Sequence, residues 1–81
     1  MQVLYFAWVR ERIGLPTEVA PDGVTTVMDL VEALRARGEQ YALAFEDLSA
    51  LRVAVDQELV DFDHNLTGAS EVAFFPPMTG G

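Results

Sequence analysis

With 81 residues the chain has room for one domain, and a body of that size buries roughly 60–65% of the surface its unfolded chain exposes. An apolar fraction of 51% beside 22% charged residues supplies one modest core and leaves little for a deep cleft, which favours a carrier, adaptor or subunit over a self-contained enzyme. The net charge of −8 repels phosphate backbones and anionic membrane surfaces, so no nucleic acid or membrane partner is expected, and the lack of cysteine excludes disulfides, thiolate metal sites and thiol catalysis.

Gln2–Trp8 is a β-branched and aromatic run of strand length, apolar on both faces, as in a covered central strand. It is too short and too poor in basic residues to act as a leader, so a cytoplasmic address is expected. Val9–Gly14 fits one helical turn stopped by Gly14, and Thr17–Ala20 a short second strand. Thr26 with Asp29 resembles a capping box, and Val27, Leu30, Val31 and Leu34 then recur at helical spacing. Arg35 and Arg37 suit the last turn of that helix, with Gly38 as its stop.

A second helical segment covers about Gln40–Glu46. Leu51, Val53 and Val55 alternate, and Asp56-Gln57 reads as a tight turn into Glu58-Leu59-Val60. Asp61–Ser70 reads as loop. Glu71–Pro76 is the last strand, with Val72 and Phe74 on one face and Ala73 and Phe75 on the other, stopped by Pro76-Pro77. The order predicts an α+β sheet covered by a helix on one face: a domain over residues 1–76 with a tail over 77–81.

Conventional catalytic groups are sparse. His64, the single histidine, sits beside Asp63 and near Asp61 in a segment that reads as a solvated turn. No glycine-rich phosphate loop follows a strand. The tail is more informative. After Glu71 no side chain is ionisable. Five residues from Pro77 extend roughly 16–18 Å at most. Pro76-Pro77 stiffens its root, and Met78, Thr79, Gly80 and Gly81 are slim or flexible enough to thread a narrow channel in a partner. A terminal glycine also suits repeated activation, because its α-carbon has no stereocentre to racemise and no β-carbon to block a nucleophile. All five bases are arginines, whose guanidinium would be a poor nucleophile toward such an activated acyl group.

These segments together resemble the sulfur-carrying small subunits of molybdopterin synthases. The likeness runs nearly end to end, through VLYFAWVRERIG at residues 3–14, the Leu51–Val60 hairpin, Asp63-His64, and most specifically EVAFFPPMTGG at residues 71–81. It implies a ubiquitin-like β-grasp fold. It implies that an ATP-dependent adenylating and sulfurating enzyme converts Gly81 to a thiocarboxylate, with no cofactor held permanently by the carrier. Its sulfur would then enter the large synthase subunit, where cyclic pyranopterin monophosphate becomes molybdopterin. Phe6, Leu59 and Phe75, with Pro76, Pro77, Met78 and Thr79, are the candidate partner contacts. Met78, Asp56 and Trp8 depart from the usual residues without touching the terminal chemistry. Carriers for thiamine or RNA thiolation, and protein modifiers conjugated through Gly81, share such a tail.

Overall fold

The computed structural model describes residues 1–77. In chain order it contains strand β1 (Gln2–Tyr5), helix α1 (Ala7–Ile13), β2 (Thr17–Val19), α2 (Val27–Arg35), α3 (Glu39–Ala44), a single 3-10 turn (Leu48–Ala50), β3 (Arg52–Val55), β4 (Glu58–Val60) and β5 (Glu71–Phe75). The strands form a mixed sheet in the order β2-β1-β5-β3-β4. The first and last strands of the chain, β1 and β5, are parallel neighbours at its centre; the other pairs are antiparallel.

One face of this sheet and all three α-helices share a single core. Val3, Tyr5, Val53, Val55, Val72 and Phe74 project from the strands to meet Val9, Ile13, Val27, Leu30, Val31, Leu34, Tyr41 and Ala44. Phe74 is its aromatic centre, edge-on to Phe45 at 5.0 Å and stacked with Tyr5 at 6.4 Å. The expected α+β sheet with a helix-covered face is therefore present.

Helix α2 begins as the sequence implies. Thr26 Oγ1 accepts from the Asp29 N–H at 3.1 Å, and Asp29 Oδ2 accepts from the Thr26 N–H at 3.1 Å, closing a capping box. A further contribution comes from the 61–70 segment, which is more than a loop. Its Phe62 and His64 carbonyls accept the N–H groups of Met28 and Val27, two donors that helix geometry leaves orphaned. Leu66 plugs the core, and Thr26 bridges to Asn65.

Several boundaries move. The strand predicted over Gln2–Trp8 stops at Tyr5, because Phe6 becomes the N-cap of α1 and Ala7 turns left-handed at φ 53°, sending Trp8 onto the helix. Helix α1 accordingly starts earlier than predicted, while Gly14 ends it at φ 93° as expected. Strand β1 lies inside the sheet between β2 and β5, as a central strand does, but helices cover only its Val3 and Tyr5 face and leave Leu4 half-buried. Helix α2 ends before Gly38: Ala36 is its C-cap, Arg37 lies beyond it, and Gly38 instead caps the start of α3. The Asp56-Gln57 turn holds, with φ of 48° and 71° as a two-residue hairpin of matching twist requires.

Candidate functional site

Strand pleating sends alternate side chains to opposite faces, so whatever does not enter the core lines the other face of the sheet. Register places Thr17, Leu4, Ala73, Ala54 and Leu59 in one row across all five strands. The neighbouring row holds Arg52 opposite Phe75, and the Phe6 N–H, donating to the Phe74 carbonyl at 3.1 Å, carries the β1–β5 pairing one residue further and sets Phe6 beside Phe75. Among the described residues no helix covers this face, because the core cluster draws its sheet residues from the opposite one. It is nonetheless apolar: Leu59 is 67% exposed and Phe6 46%, while Leu4, Ala54 and Phe75 are half-buried. Small residues at its centre, Ala54 and Ala73, leave it flat enough for a second surface to seat on it.

The described chain leaves the sheet at one edge of this patch. Phe75 is followed by half-buried Pro76 and Pro77. Phe6 and Phe75, both predicted as contacts, are thus adjacent at the root of the tail, and Leu59 lies on the same face two strands from Phe75. Met78, Thr79, Gly80 and Gly81 lie outside the described residues. Sequence reasoning passes over Leu4, Ala54, Ala73 and Arg52. The alternation that assigned Ala73 and Phe75 to one face would have found them once extended across the paired strands.

Shifted titrations lie away from this face. Tyr5 and Tyr41 both donate to Glu18 Oε2, at 2.7 and 2.8 Å, and the Arg37 guanidinium donates to Glu18 Oε1 at 2.6 Å. Burial, then the bond to Glu18, pushes both phenols above their ordinary range. Asp29 is held below the usual carboxylate range by the backbone N–H groups of Thr26 and Thr25. His64, Asp61 and Asp63 are exposed, and among the described residues no group of three or more His, Asp or Glu side chains is arranged to hold a metal ion. No helix among the described residues is long and apolar enough to cross a membrane.

A five-stranded mixed sheet wrapped around a principal helix, with its first and last strands parallel and adjacent inside the sheet, is a ubiquitin-like β-grasp fold. The chain belongs to the ThiS family, whose model matches residues 3–81. It is 52% identical over 82 residues to the molybdopterin synthase sulfur carrier subunit of Escherichia coli (strain K12), covering 100% of this chain and 99% of that one. It is 38% identical over 81 residues to the protein of the same name from Haemophilus influenzae, with the same coverage. Among solved structures it is similar to SAMP1 from Haloferax volcanii (TM-score 0.73, 27% identity, 100% of this chain and 98% of that one). A Pyrococcus furiosus structure described as molybdopterin converting factor, subunit 1, superposes with TM-score 0.65 at 25% identity, over 95% of each chain.

Proposed function

We propose that this chain is the sulfur-carrying subunit of a molybdopterin synthase, working through the carboxylate of Gly81. The reading rests above all on full-length likeness to two sulfur carrier subunits, at 52% and 38% identity. The Gly81 carboxylate oxygen attacks the α-phosphorus of ATP on an activating enzyme, and pyrophosphate leaves. A reduced sulfur donor then attacks the acyl carbon, AMP departs with the bonding pair, and a thiocarboxylate remains. The large synthase subunit seats on the apolar sheet face, takes the tail into its active site, and transfers that sulfur to the pterin precursor. Phe6, Phe75 and Leu59 anchor the seat, and Pro76-Pro77 sets the direction in which the tail leaves. Because binding energy comes from the sheet, the slim Met78-Thr79-Gly80-Gly81 segment is left to reach.

Catalytic groups for the pterin come from the large subunit, since the described residues of this chain offer no nucleophile–base pair on the docking face. The likeness to SAMP1, an archaeal modifier, favours conjugation to protein amines as a second reading. Reconstitution separates the two. With activating enzyme, ATP, a sulfur donor and the large subunit, the wild type should convert cyclic pyranopterin monophosphate to molybdopterin. The Gly81 deletion and the isolated thiocarboxylated carrier should not. Isopeptide products on lysines of other proteins, in the absence of pterin conversion, would favour the modifier reading.

A further inference from the structure

Five arginines serve a chain with thirteen acids, and most are occupied within the fold. Arg35 pairs with Glu32 at 2.6 Å and donates to the Phe45 carbonyl. Arg37 pairs with Glu18 at 2.6 Å, and Arg12 lies 4.7 Å above the Trp8 ring. Arg10 and Arg52 are both exposed, and among the described residues no carboxylate lies within 4.0 Å of either; of the two, Arg52 is the one carried by the sheet, opposite Phe75. The one recorded bond of Arg52 is from Nη1 to the carbonyl of its own neighbour, Leu51, at 2.9 Å.

Its place in the sheet gives that isolation a meaning. Arg52 is the register partner of Phe75, on the apolar face and beside the root of the tail. We propose that Arg52 is a charge key on this face, and that the protein seated there sets a carboxylate against it. The inference rests on the docking reading above. A partner covering Phe75, Ala54 and Leu59 also strips water from the neighbouring guanidinium, and a desolvated guanidinium demands an anion. With Nη1 held by the Leu51 carbonyl, Nη2 and Nε still present parallel donors, the fork that a carboxylate meets bidentately. The tether also restricts the side chain before binding, which reduces the ordering loss on contact.

The sign of this effect sets it apart from the general field. A chain of net charge −8 favours a basic partner surface at long range, so an added negative charge should on that ground strengthen binding. At position 52 it should weaken binding. Arg52→Glu and Arg10→Glu each remove one positive and add one negative charge, taking the net from −8 to −10, but Arg10 is an exposed residue of α1. Both full-length variants, with Arg52→Lys, would be titrated against the large synthase subunit at physiological and at high salt, after their melting curves show that they fold. Arg52→Glu should lose about tenfold or more in affinity even at physiological salt, where the Debye length is only about 8 Å. Arg52→Lys should retain part of the affinity, and Arg10→Glu should stay within about twofold of wild type. Equal or tighter binding by Arg52→Glu, or identical shifts for the two Glu variants that vanish at high salt, would overturn the charge key alone. Failure of the wild type itself to bind would instead overturn the docking reading beneath it.

Discussion

Asp56 shows how much one turn residue can hold. At φ 48° it occupies a left-handed conformation that Asn and Asp tolerate best among residues with a side chain. Its Oδ1 accepts the N–H groups of Ser70 and Glu71, at 2.9 and 3.0 Å, tying the β3–β4 turn to the start of β5. Asp56→Ala removes both bonds and the conformational tolerance, and should lower stability by about 1–3 kcal/mol in urea unfolding. Asp56→Asn keeps an acceptor and the turn preference, and should change it by less than about 1 kcal/mol. The adjacent phenyl rings of β5 give a second contrast. Phe74 is fully buried, so Phe74→Ala should cost about 3–5 kcal/mol of folding. Phe75 is half-buried on the open face; Phe75→Ala should leave the melting temperature close to wild type while weakening partner binding by about 2–4 kcal/mol, as isothermal titration would read.

Among elements, those built from local periodicity were legible and those built from distant partners were not. Helix α2 could be read from its capping box and apolar stripe, and β3–β4 from alternation around a two-residue turn. By contrast Phe6–Trp8 carries strand-forming residues, yet contact with α3 and β5 takes this stretch into α1, and aromatic composition alone does not distinguish the two outcomes. The Glu18 junction was equally invisible, because Tyr5, Glu18, Arg37 and Tyr41 are brought together only by tertiary structure. It ties edge strand β2 to β1 and to α3. Both phenols are raised in the folded state, so the protonated forms contribute stability that is fully present below the unfolded value of about 10. That contribution is lost as pH climbs through the folded values. Stability measured by denaturant should therefore fall at alkaline pH, and Tyr5→Phe should flatten that fall. At neutral pH the same variant should be weaker by about 1–2 kcal/mol, because Glu18 loses a donor. An alkaline profile identical to wild type would show that the junction does not couple to folding.

For the molecule as a whole, the division of labour follows from which face is filled. The helices consume one side of a small sheet, and the other side remains apolar and available. The double proline and terminal glycines read in the sequence as a tail whose chemistry the resemblance implies, and Met78, Thr79, Gly80 and Gly81 lie outside the described residues. The open apolar face emerged only when strand register assembled residues as distant in sequence as Leu4, Leu59 and Phe75. The proposed function puts the activity in one replaceable atom at Gly81, so that atom is the direct thing to observe. The intact mass of the protein, purified from cells that hold the activating enzyme and its sulfur donor but lack the large synthase subunit, tests this most directly. A substantial fraction should be heavier by the difference between sulfur and oxygen, with fragmentation assigning the change to Gly81. A population carrying only the ordinary carboxylate under those conditions, with the activating enzyme present and active, would contradict the sulfur-carrier account.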